Sequence, residues 1–168
     1  MRPSVRKSGT IALTTLTALA CVSAGSAAHA ESKRWDCVNI TGLTEVVTIV
    51  DRTDVAPAGP SLGDVSTFHD EFFDASGAKV GTADGTAKLI PVVLDNLQWV
   101  DSTDVYGDGT IRATGITSIN QALEGKVLTL GAVGKSGRYA GKFGTRTFRL
   151  VEQRDGHNVY ETNYRLCG

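Results

Sequence analysis

Trp99-Val100-Asp101-Ser102-Thr103-Asp104-Val105-Tyr106-Gly107-Asp108-Gly109-Thr110-Ile111-Arg112-Ala113-Thr114-Gly115-Ile116-Thr117 holds two runs rich in β-branched residues that meet at Tyr106-Gly107-Asp108-Gly109. Glycine there makes positive φ cheap, so the stretch predicts a hairpin. From Leu43 onward the same pattern recurs: apolar residues at a spacing of two, interrupted by glycine or by Asp-Gly. That period belongs to strands, because alternate side chains point to opposite faces. Strands are expected at 43–51, 65–74, 78–90, 92–105, 109–119, 125–133, 143–152 and 157–166. Ala75-Ser76-Gly77 and Arg154-Asp155-Gly156 supply further hairpin turns, and Asp51 to Gly63, with Pro57 and Pro60, is the one long irregular connection. Eight strands joined by short turns avoid exposed edges by closing on themselves, so the expected fold is all-β: an eight-stranded antiparallel up-and-down barrel. A two-sheet sandwich is the alternative that periodicity does not separate from it. An eight-stranded barrel is filled by its own side chains or holds one small ligand, so its inner face decides the function.

The chain has 168 residues, and the first 30 read as an export signal. Arg2, Arg6 and Lys7 precede an apolar run from Ile11 to Val22, and small residues end in Ala28-His29-Ala30. That is the order of a secretory leader cleaved after Ala30. Residues 31–42 are then a lead-in and 43–168 the barrel domain, acting outside the cell. Acylation at Cys21 is the less favoured reading, because Ala18-Leu19-Ala20 is a loose lipobox. No later run approaches the roughly 20 apolar residues of a membrane span. With the leader removed, Cys37 and Cys167 remain near the two ends of the chain, and an oxidising compartment permits a disulfide between them. The whole chain carries 17 Lys and Arg against 18 Asp and Glu, with all three cations of the leader removed on export. An acidic remainder of this kind argues against nucleic acid as a partner.

Several motifs invite chemistry and resist it. Gly134 to Gly144 combines glycines with Lys135, Ser136 and Arg138, but the P-loop spacing is missing and a strand follows, so the loop reads as structural. In His69-Asp70-Glu71 a strand places His69 and Glu71 on one face and Asp70 on the other, and two ligands do not make a metal site. Asp101, Asp104 and Asp108 read as a solvated turn rather than a calcium loop. No metal and no cofactor is expected.

Gly63 to Asp74, Gly77 to Thr82, Gly109 to Gly115 and above all Gly134-Lys135-Ser136-Gly137-Arg138-Tyr139-Ala140-Gly141-Lys142-Phe143-Gly144 resemble the allene oxide cyclase-like barrels, which include the dirigent-like proteins. Within that family the nearest likeness is to the actinomycete spirotetronate-type cyclases, natural Diels-Alderases. The resemblance implies a barrel whose pocket is lined by a glutamate on the first strand and by an arginine, an aromatic and an aliphatic residue at alternate positions after the glycine-rich loop. Glu45, Arg146, Phe148 and Leu150 occupy those positions, and Trp99 falls near that of a further pocket aromatic. The implied roles are catalytic for Glu45 and Arg146, and substrate-binding for Trp99, Phe148 and Leu150. The implied activity is cyclisation of a small, apolar, polyketide-like molecule by positioning. A dirigent-like or carrier protein that binds a small hydrophobic molecule is the alternative, and a homodimer is an expected assembly. If Glu45 and Arg146 face outward they form an ordinary exposed cross-strand pair.

Overall fold

The computed structural model describes residues 35–90 and 96–168. The expected leader with Cys21, and residues 92–95 of the expected fourth strand, lie outside the described residues. Eight strands follow in order: β1 (Cys37–Thr53), β2 (Val65–Phe73), β3 (Lys79–Ile90), β4 (Leu97–Tyr106), β5 (Gly109–Ser118), β6 (Leu128–Gly134), β7 (Phe143–Arg154) and β8 (His157–Cys167). Each pairs antiparallel with the next, and β8 pairs with β1, so the sheet closes into a barrel. Closure removes the sandwich alternative.

Several strand bounds differ from the sequence expectation, and two of the differences have a clear cause. β1 begins at Cys37 rather than near Leu43, because Cys37 to Ile40 pair with the end of β8; the register then shifts before Leu43, at Gly42 with φ of 70°. Between β5 and β6 the chain forms a five-residue helix, α1 (Ile119–Leu123), where Ser118 caps the first turn by accepting from the Gln121 amide. The helix delays β6 to Leu128.

Alternation on the strands sorts the interior. Phe68, Asp70 and Phe72 of β2 point in, as do Val100, Ser102, Asp104 and Tyr106 of β4 and Leu128, Leu130 and Ala132 of β6. β3 supplies small residues opposite these rings. A Cβ at Gly85 would lie 2.4 Å from Phe68 Cζ, and one at Gly81 would lie 2.7 Å from Tyr106 Cδ1. Large rings therefore fit only because their neighbours are small, as in a barrel whose taper is filled by alternating sizes.

One end of the barrel is solid. Leu43, Phe72, Ala83, Tyr106, Ile111, Ala132, Tyr139, Tyr164 and Leu166 form a continuous apolar cluster there. The glycine-rich loop plugs it from below: a short 3₁₀ turn (Gly137–Tyr139) tucks the Tyr139 ring inside, and its hydroxyl donates to Asp108 Oδ1 at 2.7 Å. The approach is too close for a side chain on the backbone, since a Cβ at Gly134 would stand 1.7 Å from Tyr139 O. The loop works as structure, as its sequence suggests.

The Cys37–Cys167 disulfide ties the chain ends at this same solid end, across a sequence separation of 130 residues. In the chain-entropy account such a link restricts the unfolded ensemble by roughly 4–5 kcal/mol. Replacing both cysteines with serine is therefore expected to lower unfolding free energy by about that amount in urea titrations. An unchanged midpoint would show that strand pairing alone holds the ends.

Candidate functional site

The other half of the barrel is hollow. A cavity of about 390 Å³ opens toward the irregular β1–β2 connection and α1. Val47, Phe68, Val100, Leu130 and Phe148 are among its apolar wall residues, and Tyr160 adds a phenol. Its mouth includes Arg52 at the end of β1 and Asp54, Pro60 and Asp64 from the connection, with Ile119, Ala122 and Leu123 from the helix.

The cavity ends on a layer of buried polar side chains. Glu45, Asp70, Ser102, Asp104, Arg146 and Thr162 all lie inside, each at most 3% exposed. Arg146 is the centre. One terminal nitrogen donates to Glu45 Oε1; the other donates to Ser102 Oγ at 3.1 Å and to Asp104 Oδ1 at 3.3 Å. Thr162 donates to the second oxygen of Glu45, and Tyr164 donates to Asp104 Oδ2 at 2.9 Å. Three rings enclose the guanidinium, with its carbon 5.5 Å from the centre of Phe72, 5.6 Å from Phe148 and 5.8 Å from Tyr164. These contacts supply cation–π attraction in a place that water does not screen.

Charge balance sets the protonation. Burial disfavours charge on Glu45, but Arg146 and hydrogen bonds from Asp70, Thr162 and Arg146 outweigh it and hold the carboxyl below its ordinary range. Burial opposes charge on Arg146 too, yet Glu45, Tyr164, Asp104 and Asp70 keep it protonated. Asp70 goes the other way. Burial first, and then the neighbouring Glu45 charge and hydrogen bond, push its carboxyl up to about 10. Burial also raises Asp104, despite its contact with Arg146. Near neutral pH the layer therefore holds the Glu45–Arg146 ion pair and, beside it, a neutral Asp70 that shares its proton with Glu45.

The residues expected at the site divide cleanly. Glu45, Arg146 and Phe148 all line the cavity. Leu150 is half-buried at the next inward position of β7 but is not among the lining residues. Trp99 is 42% exposed on the outside of β4, paired with Ile116, while its neighbours Gln98 and Val100 line the cavity. The likeness around Trp99 requires an offset of one residue, and in a strand that offset exchanges inside for outside. The expected pocket role of Trp99 is thereby corrected.

Asp70 and Asp104 were not expected there. The solvated-turn reading holds for Asp108, in the β4–β5 turn and paired at the surface with Arg138; Asp101 sits instead on the outer face of β4, paired with Arg112. The reading fails for Asp104, which is fully buried because it shares a face with Val100, Ser102 and Tyr106. Asp70 takes the face opposite His69 and Glu71, as its position requires, and that face is the interior.

The site is thus a closed barrel with one packed half, one hollow half and a polar layer between them. The chain belongs to the allene oxide cyclase barrel-like domain family, whose sequence model matches residues 44–163. Among solved structures it is similar to AbnU, described as an exo-specific intermolecular Diels-Alderase, at 26% identity over 80% of this chain and 98% of that one, with a TM-score of 0.68. It is also similar to the Diels-Alderase AbmU from Streptomyces koyangensis, at 25% identity over 77% of this chain and 63% of that one, with a TM-score of 0.69. The pterocarpan synthase dirigent protein GePTS1, at 13% identity over 79% of this chain and 90% of that one, with a TM-score of 0.63, shares the fold.

The raised Asp70 carboxyl has a definite sign for stability. Its pKa rises from the ordinary 3.8 to about 10 on folding, so the native state holds a proton that the unfolded state releases. Its contribution is full below 3.8 and is lost as pH climbs toward 10. Asp70→Asn keeps the shape, offers an amide to Glu45 and cannot ionise. It is expected to flatten this decline, gaining up to ~1.4 kcal/mol per pH unit on the wild type. Thermal unfolding across that window checks it, and parallel curves would show that Asp70 titrates as an ordinary aspartate.

Proposed function

We propose that this protein is a cofactor-independent cyclase that takes a largely apolar, conjugated, polyketide-like chain into the hollow half of the barrel and directs its intramolecular ring closure. The observation that supports this best is the cavity itself: closed on one side, apolar on its walls, and ending on a fixed ion pair. The similarity to two Diels-Alderases, over 80% and 77% of this chain, supports the same reading.

The chemistry is mainly positional. Holding two ends of one chain in a near-attack arrangement lowers a barrier by up to ~7–11 kcal/mol, with no covalent step by the protein. Phe148, Phe68, Val100 and Leu130 exclude water and enforce the folded conformer. Arg146 presents a guanidinium whose terminal nitrogens are already engaged by Glu45, Ser102 and Asp104, so its position is fixed before substrate arrives. A carbonyl of the substrate beside that charge becomes more electron-poor and a better partner for a diene. The disulfide and the leader-like segment support a place of action outside the cell, with the leader removed after Ala30.

Product analysis of a linear chain carrying a diene and an activated alkene, with and without protein, tests this reading. Ring closure accelerated by protein is expected, whereas recovery of unchanged chain would assign a carrier role. Arg146→Met alone leaves buried carboxyl groups without a counter-charge, a change of about 3–5 kcal/mol in stability. Glu45→Gln with Arg146→Met removes both members of the pair and is expected to fold. Its turnover should fall at least ~10-fold. Unchanged turnover in that double variant would exclude the electrostatic role of the pair.

A further inference from the structure

Two atoms of the polar layer are left over when its hydrogen bonds are assigned. Asp70, 1% exposed between Phe68 and Phe72, has no partner for Oδ1 among the described residues, and Arg146 has none for Nε. Both residues line the cavity. Polar atoms buried to this degree are nearly always bonded, and a donor and an acceptor left over at the end of an apolar chamber constitute a demand on whatever enters it. We propose that Asp70 Oδ1 and Arg146 Nε form the recognition point of the cavity and select a neutral molecule whose buried end carries a hydroxyl group, donating to Asp70 and accepting from Arg146.

The inference rests on the reading of the cavity as a receptacle for a small apolar molecule and names the polar end of that molecule. Competing chemistries fit less well. A carboxylate would meet Glu45, Asp70 and Asp104 around a single cation that already pairs with Glu45. An ammonium group would meet the Arg146 charge. A pure hydrocarbon leaves both atoms unmet, and a lone carbonyl satisfies Nε but not Oδ1. A hydroxyl is the smallest group that answers both.

The test is a titration followed by NMR of the Val47, Val100 and Leu130 methyl groups, with four chains of equal length: decadienol, decadiene, decadienoate and decadienylamine. In the wild type decadienol is expected to bind about tenfold more tightly than each of the others. Asp70→Leu is expected to bring decadienol down to the affinity of decadiene and leave decadiene unchanged. Asp70→Asn, which retains an oxygen acceptor, is expected to keep the preference, and it decides the matter together with the wild-type ranking if the leucine variant does not fold. Equal binding of decadienol and decadiene, tightest binding of the acid or the amine, or a preference that survives in Asp70→Leu would overturn this inference and leave the cyclase reading intact. Failure of every chain to bind would overturn both.

Discussion

A guanidinium buried halfway up a barrel is the constraint around which this molecule is arranged. Arg146 lies 3% exposed, with no bulk water to solvate it. Its charge is tolerable only if an anion and several acceptors stand ready, and β1, β4 and β8 deliver them: Glu45, Ser102 and Asp104, with Thr162 and Tyr164 bonding in turn to the two acids. Breaking such a set strands a charge, whereas an apolar replacement of similar volume is often no less stable. Stability therefore gives no reason to keep the layer. Shape does: a polar layer bonded from three sides cannot slump into the space above it, so the cavity has a rigid end.

The same layer separates two kinds of packing made from one strand pattern. Below it, Phe72, Tyr106 and Tyr164 stack and cross with ring centres 5.5 to 6.4 Å apart, and Tyr139 closes the bottom. Above it, the inward positions carry Val47, Ala87, Val100, Ala113 and Leu130, with Phe68 and Phe148 as the only phenylalanines. Smaller side chains at the same barrel radius do not meet across the middle. The void is thus a consequence of side-chain volume on one half of each strand. Connections follow the division in part: the β2–β3 and β4–β5 hairpins, the glycine-rich plug and the disulfide lie at the filled end, while the β1–β2 connection, α1 and the tight β7–β8 turn lie at the open one.

Fold and site were legible to different depths. Period-two spacing and the Gly-marked turns carry the strand order, and closure follows from the need to hide edges. The helix α1 escaped because five residues after a Ser cap are too short for a helical period to show. Glu45, Arg146 and Phe148 were placed by resemblance and by alternation along β7. Asp70 and Asp104 were readable in principle: each sits at the middle of an inward triplet, Phe68-x-Asp70-x-Phe72 and Ser102-x-Asp104-x-Tyr106. They were passed over because an aspartate in a strand ordinarily marks the wet face. Only knowledge that a buried arginine lies opposite reverses that expectation, and this is tertiary information. Trp99 failed for the complementary reason: its chemistry suited the pocket, and the pleat put it outside.

Two carboxyl groups beside one another, with one cation between them and a third acid, cannot all ionise in so dry a place. Glu45 has the stronger claim on the charge, because it receives Arg146, Thr162 and the Asp70 proton. Asp70 is thereby held neutral by burial and by Glu45, to which it gives its proton, and its Oδ1 has no partner among the described residues. The same arithmetic that makes the layer electrically acceptable places an uncharged polar group, Asp70, among the residues that line the cavity. A core built only to be stable would have spent that oxygen on an internal hydrogen bond; here the internal demand for neutrality leaves it available.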